Sequence, residues 1–138
     1  AGCRVGYGVA QKEVIDALGL TKLVYNMNIL SQNAALAAMD YADDILAHNI
    51  PPTLAARQHF MDALKDVPNL TVYPSATNFV LVRVPDGPAM VKALHDADIC
   101  VRSYKAADLK NCLRITITTD DVVRRVVAVM TEEAKKYA

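Results

Sequence analysis

Arginines set in strand-like runs are the residues of this chain that ask for a chemical explanation. Arg114 lies in NCLRITITT, where alternation puts Leu113, Ile115 and Ile117 on one face of a strand and Arg114, Thr116 and Thr118 on the other. A guanidinium in a β-branched run is costly to desolvate unless it meets an anion, and its planar fork suits a carboxylate or a phosphate. An edge strand with Arg114 facing water fits the same pattern without a ligand. Arg4 in RVGYGV and Arg102 in VRSY also stand on strand-like runs. Several such cations suit a small polyanion held at the meeting of two domains.

Other chemistries lack a constellation. His48, His59 and His95 are solitary on helical runs with no ligand set at metal-binding spacing, so no metal is expected. Asp43 and Asp44 are adjacent on a helical run and cannot face one another, which makes them part of a solvated face. Neither a nucleophile elbow, a phosphate loop nor a dinucleotide fingerprint is present, and Ser31 and Ser75 have no obvious base.

The elements that must position the arginines follow from periodicity. Arg4 to Val9 alternates Val5, Tyr7 and Val9 against Arg4, Gly6 and Gly8, as a strand closely approached on its second face would. Residues 12 to 23 are expected to be helical, with Val14, Ile15 and Leu18 on one stripe, followed by a polar break at Tyr25 to Asn28. From Ile29 the spacing of Leu30, Ala34, Ala37 and Tyr41 predicts a close-packed helix. Pro51 and Pro52 are expected to end or kink it, with Pro52 opening a second helix to about Lys65.

After residue 67 the period changes. Leu70 to Tyr73 and Asn78 to Val84 read as strands, the second apolar on both faces until Arg83, as a central strand would be. Gly87 and Pro88 open a helix to about Asp96 that carries Met90, Val91 and Leu94 on one face. A strand near Ile99 to Ser103 and the Arg114 strand follow. Thr119 or Asp120 then caps a helix with Val122, Val123, Val126, Val127 and Met130 as its buried stripe. This order describes a small α/β layer domain over residues 67–138, joined by connecting helices over 29–66 to a remnant of another domain over 1–28.

Composition bounds the partners. The 138 residues are 53% hydrophobic with five Gly and six Pro, enough for a packed core. Fifteen basic residues balance fifteen acidic ones, so no net field draws in nucleic acid or an anionic membrane. Cys3, Cys100 and Cys112 show no C-x-x-C spacing and are expected to be buried free thiols in a reducing, cytoplasmic setting. There is neither an apolar run of about 20 residues nor a secretion signal. With no initiator Met, the chain is expected to be the later part of a longer protein.

AGCRVGY resembles the A-G-x-R-x-G-Y signature of fold-type I pyridoxal-phosphate enzymes. Together with YNMNILSQ, YPSATNFVLVRVP, VRSY and NCLRITITT, in that order, it resembles the histidinol-phosphate aminotransferase family of class I/II aminotransferases over nearly the whole chain. The resemblance implies a small mixed-sheet domain preceded by a large-domain remnant and a long connecting helix. It implies pyridoxal 5'-phosphate as cofactor, with Arg4 binding its phosphate. Arg114 would bind the α-carboxylate of the amino-acid substrate, while Arg102 and Asn78 line the substrate pocket. The implied reaction moves an amino group between histidinol phosphate and 2-oxoglutarate in histidine biosynthesis.

The Schiff-base lysine of the family precedes A-G-x-R by a few residues, so it is expected upstream of Ala1. This chain would then supply no catalytic lysine and would be inactive without the missing N-terminal part. Relatives are dimers with active sites at the subunit boundary, which implies self-association through residues 1 to 45. RITITT replaces the commoner RITVGT, and Pro51-Pro52 interrupts a helix that relatives usually continue. Two alternatives stay open: a threonine-phosphate decarboxylase of the same fold, and a free-standing amino-acid-binding regulatory module over residues 70 to 138.

Overall fold

The computed structural model describes residues 3–137, so Ala1 and Gly2, the first two positions of the AGCRVGY motif, lie outside the described residues, as does Ala138. By contacts the chain divides into two units, Ala1–Ala47 and His48–Ala138.

The first unit holds α1 (Lys12–Gly19), α2 (Ile29–Asp40) and the start of α3 (Ala42–Leu64). α1 stops at Gly19 rather than running to residue 23, because glycine is a poor helix former. Asn28 caps α2: its Oδ1 accepts the Ser31 N–H at 2.9 Å and its Nδ2 donates to Ser31 Oγ at 3.0 Å. The expected strand from Arg4 to Val9 does not form. A strand needs a partner for its backbone groups, and residues 4–10 pair with none among the described residues, leaving Tyr7 86% and Val9 88% exposed. Nor is α2 close-packed, for it buries no described residue.

The proline pair neither ends α3 nor starts a new helix. Pro51 and Pro52 lie inside it, and the break falls at Tyr41. Each proline has φ preset near the helical value, and the turn before the pair is exposed, where a missing N–H in the helical ladder is tolerated. The second half of α3 is held in place by Ala56, Phe60 and Leu64, all buried in the core. The division between units falls on the turn where the prolines interrupt the helical ladder, inside α3 and before the residue-67 boundary that the sequence suggests.

The second unit adds β1 (Thr71–Val72), β2 (Phe79–Arg83), α4 (Gly87–Asp96), β3 (Arg102–Ser103), a 3-10 turn (Ala107–Leu109), β4 (Cys112–Thr116) and α5 (Asp120–Lys135). The element order matches the reading from residue 70. The sheet runs β1-β2-β4-β3, and every pairing is antiparallel, so it is not mixed. The reason is topological: β2, α4 and β3 form a crossover whose two parallel strands are split apart by β4, inserted antiparallel to both. β4 is therefore an inner strand, which removes the edge-strand explanation of Arg114.

One face of the sheet is covered by helices. Val80, Val82, Leu113 and Ile115 meet Phe60 and Leu64 of α3, Met90 and Leu94 of α4, and Val123, Val126 and Met130 of α5. The start of α4 is bolted to the entry of β4. Asp86 Oδ1 accepts the Ala89 N–H, Asn111 Oδ1 accepts the Gly87 N–H, and Asn111 Nδ2 donates to the Pro85 carbonyl at 3.1 Å. The approach there is so close that a Cβ on Gly87 would stand 2.6 Å from the Lys110 carbonyl oxygen. All three cysteines are free, but Cys112 alone is buried; Cys3 and Cys100 are exposed, since neither sits on an element that packs into the core.

Candidate functional site

The sheet face opposite the core is where the strand arginines meet. Because Val80, Val82, Leu113 and Ile115 point into the core, alternation assigns Phe79, Leu81, Arg83, Arg114 and Thr116 to the outer face. Arg114 pairs with Leu81 on one side and with Arg102 on the other. Two exposed cations thus stand at directly opposed positions of neighbouring strands, a repulsive arrangement unless an anion joins them. Among the described residues neither guanidinium has a hydrogen bond or an ion pair.

A third arginine on this face is treated differently. Arg83 donates from Nε to the Tyr73 hydroxyl at 3.1 Å and from Nη2 to the Asp108 carbonyl at 3.1 Å. The bond to Tyr73, then the charges of neighbouring groups, push its pKa above the ordinary value. Arg114 instead lies against an aromatic ring, its Cζ 5.1 Å from the centroid of Phe79.

Phe79 is fixed by its backbone. β1 ends before Pro74, whose nitrogen has no hydrogen to donate, so continuing its register would leave Ser75 facing Phe79 without a strand partner. Side chains complete the pairing. Ser75 Oγ donates to the Phe79 carbonyl at 2.5 Å, Thr77 Oγ1 reaches the same oxygen at 3.1 Å, and the Phe79 N–H donates to Thr77 Oγ1 at 3.3 Å. From α3, Arg57 Nη1 donates to the Thr77 carbonyl at 2.8 Å.

Of the residues expected at a site, the structure brings Arg102 and Arg114 together. Asn78 lies one residue before β2; its carbonyl accepts the Ile117 N–H at 2.8 Å, and its side chain is exposed without a hydrogen bond among the described residues. Arg4 belongs to the first unit, exposed, with a left-handed φ of 57°. Phe79, Thr77 and Arg57 were not singled out from the sequence, and Ser75 was considered only as a nucleophile lacking a base. The PSATNF run carried the signal, since hydroxyl side chains after a proline mark a place where a strand's pairing must be completed by side chains.

A separate groove of about 860 Å³ runs between α3 and the start of α5. At its lip His59 Nδ1 meets Asp120 Oδ1 at 2.6 Å, and Arg124 Nε donates to Asp120 Oδ2 at 2.7 Å. The bond from His59, and then that from Arg124, hold the Asp120 carboxyl below the ordinary range. Part-buried, His59 thus links the two helices. Among the described residues no set of His, Cys, Asp and Glu is grouped to hold a metal, and no helix is long and apolar enough to cross a membrane.

Comparison with known proteins gives this geometry a context. The model of the family described as aminotransferase class I and II matches residues 1–130. A histidinol-phosphate aminotransferase of Thermoanaerobacter sp. (strain X514) is 38% identical over 120 residues, which is 86% of this chain and 34% of that protein. The structure of histidinol-phosphate aminotransferase from Sinorhizobium meliloti in complex with pyridoxal-5'-phosphate superposes with a TM-score of 0.63 at 26% identity, covering 91% of this chain and 35% of the other. L-threonine-O-3-phosphate decarboxylase from Porphyromonas gingivalis shares the fold, with a TM-score of 0.65 at 19% identity over 89% of this chain and 39% of its own. The chain spans about a third of the length of the curated relatives it matches. The family match takes in the whole first unit and the second as far as residue 130, and the chain belongs to the aminotransferase class I and II family.

Proposed function

We propose that the complete protein is a pyridoxal-phosphate-dependent aminotransferase that moves an amino group between histidinol phosphate and 2-oxoglutarate. The observation that carries the reading is the pair Arg102 and Arg114, opposed across neighbouring strands with no counter-ion among the described residues. Two guanidiniums match the charge of a phosphate monoester, about −1.5 to −2 near neutral pH, better than that of a single carboxylate. They also serve an amino donor or acceptor through its carboxylate, so one clamp handles both substrates in turn. Asn78, exposed one residue before β2, supplies amide groups for the rest of the ligand. Such a clamp turns recognition into geometry, since an anion seated on two forks has its reacting carbon placed.

Arg4, exposed and without a partner among the described residues, fits the cofactor's phosphate as a charged donor. Pyridoxal phosphate, when bound, supplies the electron sink that amino transfer needs. The lysine that holds it is assigned to the part of the protein that this chain does not span. Exposed Leu30, Leu36, Met39 and Tyr41 support packing of residues 1 to 45 against the rest of the protein and a second subunit. A cytoplasmic homodimer, with small-molecule substrates and no nucleic acid or membrane partner, is the corresponding assembly.

A threonine-phosphate decarboxylase remains the second reading because the same clamp suits its phosphate and the fold is shared. A free-standing regulatory module is disfavoured by a family match that begins at residue 1. The test is an assay of the complete, cofactor-loaded protein with histidinol phosphate and 2-oxoglutarate, and separately with threonine phosphate for carbon dioxide release. Arg114→Ala should lower kcat/KM by roughly 30-fold to several thousand-fold, the loss expected when one side of a buried charge pair is removed, while the cofactor absorbance stays unchanged. An enzyme indifferent to Arg114→Ala, or one that only decarboxylates, overturns the assignment.

A further inference from the structure

We propose that Phe79 is a positioning residue that holds the Arg114 guanidinium in register with Arg102 while leaving its N–H donors to the substrate anion. This rests on the reading of Arg114 as the anion clamp and names how the clamp is kept in shape.

The outer face holds its arginines in two ways. Arg83 is locked by hydrogen bonds to Tyr73 and to the Asp108 carbonyl, so donors that could reach a ligand are engaged by the protein. Arg114 makes no such bond among the described residues and is instead placed by the ring of Phe79 at 5.1 Å. Attraction between a cation and a ring quadrupole requires no N–H acceptor, so all five donors stay available. The contact is diagonal across the sheet: Phe79 pairs with Thr116, two residues from Arg114, within reach of an aromatic and a long side chain.

The ring is itself preset. Ser75 and Thr77 fix the Phe79 carbonyl and N–H where β1 has no residue to offer, and Arg57 ties their loop to α3. A flexible arginine thus inherits order from a core helix through a loop, a backbone and a ring. Facing Arg102 across the strands, Arg114 would otherwise swing outward to separate the charges, and ligand binding would have to order it anew.

The test uses the complete, cofactor-loaded protein with Phe79→Leu, Phe79→Tyr, Arg114→Ala and the double variant Phe79→Leu/Arg114→Ala. Two readouts are followed: steady-state kinetics with histidinol phosphate, and the substrate concentration that half-saturates the change in cofactor absorbance. Phe79→Leu should raise KM and the half-saturating concentration about 2- to 10-fold with kcat little changed, the span expected of a cation held on an aromatic face. Phe79→Tyr, which keeps the ring, should restore both to within about twofold of wild type. In the Arg114→Ala background Phe79→Leu should add nothing.

A loss from Phe79→Leu that is as large without Arg114 as with it, or that tyrosine does not rescue, overturns the role of Phe79 and leaves the clamp standing. Silence of Phe79→Leu where Arg114→Ala is costly does the same. Silence of Arg114→Ala itself overturns the clamp, and the role of Phe79 with it.

Discussion

The two units of this chain are both rich in apolar residues and differ in what they do with them. In His48–Ala138 the apolar stripes of three helices close over one face of a sheet, and Phe60, Leu64, Leu94 and Met130 are fully buried. In Ala1–Ala47 the helices are equally apolar, yet neither α1 nor α2 buries a described residue, and Leu30, Leu36 and Met39 stand exposed. Periodicity says which face of a helix wants burial; only a second layer decides whether it is buried. The second unit contains its own second layer. The first leaves its apolar faces exposed, and the chain spans about a third of the length of the relatives it matches.

The largest expected effect tests that contrast directly. Phe60→Ala should destabilise the second unit by about 3 to 5 kcal/mol, because its ring is fully buried in the core cluster and the surrounding side chains can collapse only in part. Leu36→Ala, at a residue 66% exposed, should change stability by no more than about 0.5 kcal/mol. Urea unfolding of both variants gives the comparison, and similar losses would show that the first unit has a core of its own.

The same contrast explains what was legible in the sequence. The stripe of α5, the two-faced apolar pattern of β2 and the alternation of β4 were readable because local period and final burial agree there. The prolines misled because their cost was local and the burial of Phe60 and Leu64 that overrides it is tertiary. Arg4 to Val9 has a strand's alternation but no partner, and alternation cannot supply one. For the candidate site, Arg102 and Arg114 were visible as strand arginines. Their direct opposition was not, because it depends on the register between β3 and β4 and on β4 entering between β2 and β3. Phe79 was hidden for the same reason, its partner lying on another strand.

A smaller effect places one substitution in each unit. Gly87→Ala should destabilise by about 1 to 3 kcal/mol, since the new Cβ would meet the Lys110 carbonyl at 2.6 Å, a backbone atom that Asn111 and α4 hold in place. Gly19→Ala puts a Cβ into open space at the end of α1 and should strengthen that helix by up to about 1 kcal/mol. Thermal unfolding reads the first change, and amide hydrogen exchange within α1 reads the second. A neutral Gly87→Ala would mean that the junction of α4 with β4 yields, contrary to a tightly closed second unit.

The smallest effect asks whether ion pairs follow the same division. In the first unit Lys12 and Asp16 pair within one helix, so their contact supports only local structure. In the second, His59 and Asp120 join α3 to α5 across 61 positions of sequence, with Arg124 on the second carboxylate oxygen. The His59 and Arg124 bonds lower the Asp120 pKa in the folded state. A carboxyl whose folded pKa is depressed favours folding above its unfolded value, about 3.9, and loses that contribution as pH falls through the folded value. Asp120→Asn should therefore lower the melting temperature measurably at about pH 5 and converge with wild type toward about pH 2. Because both side chains are partly solvated, the difference should also shrink in high salt. Asp16→Asn should leave unfolding of the second unit unchanged at every pH. A gap between Asp120→Asn and wild type that persists undiminished at the acid end would mean that Asp120 acts through shape at the start of α5, and that charge does not fasten the two helices.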